Sequence, residues 1–356
     1  KQRIKRWLVR LGLTLLVLQI AWFAIVNSLL NLPATQDWVN ALRPEKFTIS
    51  WQDAWSWYPG RIEVHGVVAS GQTATQQWYA QAERVQANVA LLPMLIRSVH
   101  IFRGRIENVE FRQRPRLKPD QDYGDGLSWF PEIPGYEIAP VGERPKPRKK
   151  RWTVTVHSAR LAGQHSVWIR RVQARLEANA EANLVVTSGG GTLDLDVPVV
   201  QLNIERAWAD AGETILNDGL LSGRMKLGPY RYREHRGPRA LAFLDLDLDV
   251  ALTSESLRFV ELFLHKYPTM NVSGRGQAAG RLVLHGGVAV EGTDLRVDAA
   301  GLSVVRPPVV LQGSGLVELS TQPSSETPFT VAFRFADLVA LHSSDGAPLF
   351  SGCLLY

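Results

Sequence analysis

The stretch Leu241-Ala242-Phe243-Leu244-Asp245-Leu246-Asp247-Leu248-Asp249-Val250-Ala251-Leu252 decides how this chain is read. In an extended strand successive side chains point to opposite faces. Leu244, Leu246, Leu248 and Val250 therefore share one face, and Asp245, Asp247 and Asp249 share the other. One face is apolar and the other wet, as expected of a half-exposed antiparallel sheet.

The same texture extends both ways. Upstream, strands are predicted over 152–161, 167–178, 182–187, 191–197, 199–206 and 219–227. Downstream they are predicted over 277–284, 288–291, 293–299, 302–305, 309–311, 313–320 and 327–335. Leu282, Leu284, Leu295 and Val297 fall on the apolar side of these strands and join the first four as candidate groove residues. A helix over about 255–267 interrupts the series, with Ser254 as its cap, an apolar stripe of Leu257, Val260, Phe263 and Leu264, and Pro268 behind it. Several strands vary one glycine-punctuated theme, without a fixed period.

Before residue 152 the texture changes. Residues 114–151 hold seven prolines and end Arg148-Lys149-Lys150-Arg151, the composition of a solvated linker. Ahead of it, strands are expected over 47–51, 61–69, 82–90, 99–102 and 106–112, with a turn at 55–60 and a bulge near Asn108. Leu91-Leu92-Pro93-Met94-Leu95-Ile96 is an apolar knot between two of them. A short amphipathic helix is expected over 35–42.

The N-terminus is an anchor. Residues 11–30 carry no charged side chain, and only Thr14, Gln19, Asn27 and Ser28 are polar. A helix of that length spans roughly 30 Å, the thickness of the hydrocarbon core. Lys1, Arg3, Lys5, Arg6 and Arg10 precede it, and no basic residue follows until Arg43. The positive-inside rule then puts the N-terminus in the cytoplasm and the bulk of the chain across the membrane. A cleaved signal peptide fits less well, because the apolar run is long and Asn27-Ser28-Leu29-Leu30 is a poor cleavage context. The expected organisation is thus 1–33 basic stub and transmembrane anchor, 34–113 first β region, 114–151 linker, and 152–356 extended β-sheet domain.

Composition agrees with a folded membrane-tethered protein. Of 356 residues 45% are hydrophobic, too many for a disordered chain. The net charge of +6 sits largely in the two basic runs and does not indicate a nucleic-acid surface. Cys353 is the single cysteine, so no intramolecular disulfide forms.

Residues for chemistry are missing at the needed spacings. The eight histidines include no pair at i, i+2 or i, i+4, so no metal site is expected. Asp245, Asp247 and Asp249 start like a calcium loop, but Val250 stands where that loop needs glycine and Ser256 where it needs glutamate. Ser188-Gly189-Gly190-Gly191 opens a strand and lacks the Lys-Ser/Thr of a phosphate loop. Residues 274–280 imitate a dinucleotide fingerprint with the wrong spacing. No Gly-x-Ser-x-Gly elbow is present, and Cys353 has no base near it in sequence. No cofactor and no enzymatic activity are expected.

Four segments carry a family resemblance. They are Trp57-Tyr58-Pro59-Gly60-Arg61-Ile62-Glu63-Val64-His65-Gly66, then Ala82-Glu83-Arg84-Val85-Gln86-Ala87-Asn88-Val89, then Leu91-Leu92-Pro93-Met94-Leu95 with Val99-His100-Ile101-Phe102, and Ile106-Glu107-Asn108-Val109-Glu110-Phe111-Arg112. In this order behind a transmembrane helix they resemble the N-terminal region of the AsmA-like superfamily, the AsmA/TamB-type envelope proteins. The resemblance covers a minor part of the chain; the later strands agree in texture. It implies a long curved sheet with an apolar groove, a place in the bacterial inner membrane with the bulk in the periplasm, and phospholipid passage between inner and outer membranes. The partners it implies are phospholipid, the inner membrane and an outer-membrane or other envelope protein. The competing expectation is a non-enzymatic structural or assembly factor of the envelope, whose apolar face is buried on itself.

Overall fold

The computed structural model describes residues 2–41, 46–143, 151–209, 212–235, 237–258, 271–321, 330–342 and 346–355. Two helices lead, α1 (Gln2–Leu30) and α2 (Pro33–Ala41). Pro33 opens α2, where its missing N–H leaves no helical bond unmade. Sixteen strands follow: β1 (Phe47–Ser50), β2 (Asp53–Trp55), β3 (Arg61–Gln72), β4 (Gln76–Ala90), β5 (Ser98–Pro115), β6 (Thr153–Ile169), β7 (Val172–Thr187) and β8 (Thr192–Ala209) form the first half. The second half is β9 (Glu213–Arg231), β10 (Leu244–Ser254), β11 (Asn271–His285), β12 (Val288–Ala289), β13 (Asp294–Arg306), β14 (Val309–Ser320), β15 (Thr330–His342) and β16 (Pro348–Leu355).

All sixteen belong to one curved sheet that does not close. Its main path carries fourteen strands in chain order, with β2 paired to β3 and β12 to β11 beside it. At ~4.8 Å per strand the path is about 62 Å long. Pairing is antiparallel with one exception, β5 with β6. A parallel neighbour requires the chain to return to the starting end of the strand before it. Residues 116–143, part of the segment expected to be a solvated linker, lie on this return path. They pack on the sheet, where the buried Arg114 guanidinium donates to Gln77 Oε1 (2.7 Å), the Pro131 carbonyl (3.2 Å) and the Tyr136 carbonyl (2.6 Å). The sheet therefore runs without a break through the boundary expected between the two β regions.

The helix expected over 255–267 falls largely outside the described residues. Ser254 is the last residue of β10, and its hydroxyl donates to the Ile215 carbonyl at 2.8 Å. Residues 237–243, ahead of β10, form a short 3-10 turn, so the alternating strand starts at Leu244.

The chain exposes 22,730 Å². A compact protein of its mass exposes ~14,000 Å². The excess follows from the architecture: a long helix standing free and a sheet with no second layer of strands among the described residues.

Candidate functional site

Residues directly opposite each other on neighbouring strands share a face, so pairing registers show which side chains line up across the sheet. One row runs Val89, Ile101, Val156, Leu184, Leu195, Leu227, Leu244, from β4 to β10 without a polar residue. A second runs Gly163, Ala178, Leu202, Leu221, Val250, Gly280, Leu295, Leu319, from β6 to β14. Leu246 lies between Met225 and Leu284, Leu248 between Gly223 and Leu282, and Val297 between Ala278 and Val317. The eight residues singled out from sequence are thus brought to one face: Leu244, Leu246, Leu248, Val250, Leu282, Leu284, Leu295 and Val297.

The curvature encloses this face. Along β11 the apolar-side residues Val272, Gly276, Ala278, Leu282 and Leu284 are buried or half-buried, with Gly280 exposed, while Ser273, Arg275, Gln277, Ala279 and Arg281 on the other side are exposed, with Val283 half-buried. Ala278 and Ala279 are the same residue type, adjacent in sequence, and differ only in face. β9 repeats the contrast, with Leu221 half-buried and Leu220 52% exposed. Leu257, just after β10, lies against Gly276, and among the described residues no second layer of strands covers the rest of this face, so its lower exposure fits the concave side of the curved sheet.

The convex side is a lattice of ions. Asp247 accepts from Arg281 at 2.8 Å and from Arg224 at 3.1 Å, across strands on both sides of β10. Hydrogen bonding to Arg281, with its charge and that of Arg224, holds the Asp247 carboxyl below the usual aspartate range. Arg84 joins Glu63 (2.5 Å), Arg160 joins Glu181 (3.3 Å) and Arg296 joins Asp298 (2.8 Å). The three aspartates of β10 are the wet side of a strand. Among the described residues no group of three or more His, Cys, Asp or Glu side chains is arranged to hold a metal ion. A shallow open depression of about 380 Å³, lined by Arg175, Glu205, Arg206, Trp208 and Gly212, sits where the start of β7 pairs with the end of β8, beside the turn into β9 and away from the apolar rows.

His165 stands apart. It faces the apolar side opposite Leu176, 5% exposed, and its Nδ1 accepts the Val109 N–H at 3.0 Å. Its Nε2 has no partner, and burial pushes the imidazole pKa down. The neighbouring Asn108, at φ 51°, marks the irregularity expected there: its side chain accepts the Gln164 N–H across a register shift between β5 and β6.

Sequence reasoning missed how the anchor is joined to the sheet. The outer edge of β1 and β2 would present unpaired N–H and C=O groups. Three asparagines of the helical segment mimic a strand there. Asn27 accepts from Ser56 N–H (2.6 Å) and donates to its carbonyl (3.4 Å). Asn31 does the same at Ala54 (3.0 and 2.8 Å), and Asn40 at Ile49 (2.8 and 2.9 Å). Gln36 adds a bond to the Trp51 carbonyl at 2.9 Å, and Trp51 Nε1 donates to the Leu30 carbonyl at 3.0 Å. The signal was present: Asn27 and Asn31 lie one helical turn apart, ~6 Å, close to the two-residue repeat of a strand. α1 itself is long and apolar enough to cross a membrane over residues 3–30, with almost none of it buried in the protein.

No family model and no curated protein matches the chain.

Proposed function

We propose that this is a membrane-anchored protein that holds lipid acyl chains against its concave apolar face and passes phospholipid along it, between the inner and outer membranes of a bacterial envelope. The observation that supports the reading is the pair of apolar rows running across seven and eight strands, with no second layer of strands over them among the described residues. Such a face in water is costly, at ~25 cal/mol per Å² of apolar surface. Lipid tails relieve that cost, each methylene withdrawn from water contributing ~0.8 kcal/mol. A file of side chains ~4.8 Å apart lets a tail slide from strand to strand with little change in contact. Passive conduction of this kind asks for no catalytic residue. The charge distribution supports an N-terminus in the cytoplasm and a sheet in the periplasm, with five basic residues ahead of the apolar run.

The test is mass spectrometry of lipids retained by the full chain after mild detergent extraction and gel filtration. Phospholipid at one or more molecules per chain, competed by added fatty acid, is expected. A lipid-free protein that stays monodisperse would leave a tethered structural or assembly factor.

A further inference from the structure

The joint between α1 and β2 fixes how the sheet stands relative to a bilayer. Gln19 Nε2 donates to the Trp57 carbonyl, Trp22 Nε1 donates to Ser56 Oγ at 3.1 Å, and Phe23 packs on Trp57 with ring centroids 5.6 Å apart. Asn27, Asn31, Gln36 and Asn40 then meet Ser56, Ala54, Trp51 and Ile49 in order. The edge strands therefore run alongside the helical segment, with Trp57 at the deep end. Gln19 is eleven residues before Leu30, ~16 Å along the helix, or about half a hydrocarbon core.

The pairing places other segments at this same strand end. Val89 N–H donates to the Gly60 carbonyl, Thr153 N–H to the Arg97 carbonyl and Ser188 N–H to the Trp152 carbonyl. Here sit Trp57 and Trp152, 56% and 43% exposed, and the turn between β4 and β5, where Leu92, Leu95 and Ile96 are 80%, 84% and 80% exposed. A soluble surface seldom carries so dense an apolar patch without a partner. At the opposite strand end the β3–β4 turn reads Thr73-Ala74-Thr75 and the β6–β7 turn Arg170-Arg171. From Asn88 to Arg105 the chain has Arg97, Arg103 and Arg105 and no acidic residue. Cations just behind an apolar tip suit the headgroup phosphates above a leaflet.

We propose that this strand end, with the Leu91–Ile96 turn at its tip, is sunk into the leaflet of the bilayer on the sheet's side of α1. The concave face then opens sideways into lipid at Val89 and Ile101, the first members of the row that reaches Leu244. A phospholipid tail moves from the leaflet onto this row without crossing water. The inference rests on α1 spanning a bilayer and deepens the lipid reading by naming where the lipid comes from.

Collision-accessibility spectroscopy on the full chain tests it. With Cys353 replaced by Ser, a nitroxide is attached to a single cysteine introduced as Leu95→Cys, Leu18→Cys or Thr75→Cys. Each protein is placed in vesicles of phosphatidylethanolamine and phosphatidylglycerol. The label at 95 is expected to match the one at 18, with oxygen collisions favoured over those of a water-soluble nickel chelate by fivefold or more, and the label at 75 to show the reverse. A label at 95 that behaves like 75 while 18 stays lipid-facing overturns the insertion and leaves the lipid-binding face untouched. A label at 18 that meets the chelate freely removes the anchor, and the insertion with it.

Discussion

Replacing Leu248 with aspartate separates an open trough from a sealed core. Leu248 faces Gly223 on one side and Leu282 on the other and is half-buried. Full burial of a leucine contributes about 1.5–3 kcal/mol, so half-burial contributes about 1 kcal/mol. The poor strand propensity of aspartate adds up to about 1 kcal/mol. The new carboxylate reaches water through the open side, so no desolvation penalty is due. The sum is a loss of about 2 kcal/mol, and the variant folds. Under a second protein layer the same change strands a charge in hydrocarbon and costs about 3–5 kcal/mol or more. Lipid responds differently. If the carboxylate denies contact to about four methylenes, binding weakens by about 3 kcal/mol, roughly 200-fold. Urea unfolding of the purified protein gives the first number, and lipid per mole of protein by mass spectrometry gives the second. Leu220→Asp, on the convex face, is the control: it bears only the strand-propensity loss of up to about 1 kcal/mol and leaves the lipid content unchanged. Wild-type lipid content in a folded Leu248→Asp protein, or an unfolding loss well beyond 4 kcal/mol, refutes the reasoning.

Three further outcomes follow from the geometry. Asn31→Leu removes both bonds to Ala54 and is expected to cost about 1–3 kcal/mol, seen as amide hydrogen exchange at Ala54 accelerated at least tenfold with α1 still helical; unchanged exchange would mean the edge is protected by something else. Gly280→Ala meets a φ of +132° and an Asp294 carbonyl 2.0 Å from the added carbon, so a drop in melting temperature of several degrees is expected, whereas Gly135→Ala, with nothing within 4 Å, costs only about 1 kcal/mol. His165 is held neutral by burial, so the unfolded chain binds its proton first. Stability is full above the unfolded value of about 6.5 and falls as the pH drops below it, and His165→Gln is expected to flatten that part of the urea-midpoint profile; parallel profiles would assign the slope elsewhere.

The faces of this sheet are legible in the sequence wherever a strand keeps its phase. β7 alternates Val172, Ala174, Leu176, Ala178, Ala180, Ala182, Leu184 and Val186 with polar residues over its whole length but for Val185, and the eight groove candidates were readable for the same reason. Strand ends were not. The pattern over 152–161 and 167–178 suggests a break near Gly163, where β6 in fact continues to Ile169 and turns at Arg170–Arg171. Ser158, at φ 56°, inserts a bulge against β7 that shifts the alternation by one residue, and a phase shift looks like a strand end. Gly301, at φ 59°, splits β13 into two apparent strands in the same way. The parallel β5–β6 pairing has no local signature, because it depends on where a 37-residue segment (116–152) returns. The asparagine clamp leaves only a spacing as its signal: Asn27 and Asn31 read as polar blemishes beside an apolar run until the strand they match is placed next to them.

Side-chain volume gives the sheet its bend. On the concave side glycines recur among the leucines: Gly219, Gly223 and Gly280 stand opposite Leu252, Leu248 and Val250. On the convex side of the same strands stand Arg224, Lys226 and Arg281, long side chains whose charged heads spread into water. A sheet with small residues on one face and large ones on the other curls toward the small face, since that brings apolar groups together and separates the ions' stems. The glycine positions are used by their neighbours in the sheet: a carbon added at Gly219 would lie 2.7 Å from a methyl of the opposite Leu252 and 3.1 Å from one of Leu216. Curvature replaces the second layer that an ordinary half-apolar sheet requires. It narrows the apolar face without sealing it, which is the geometry that the proposed lipid-tail reading requires.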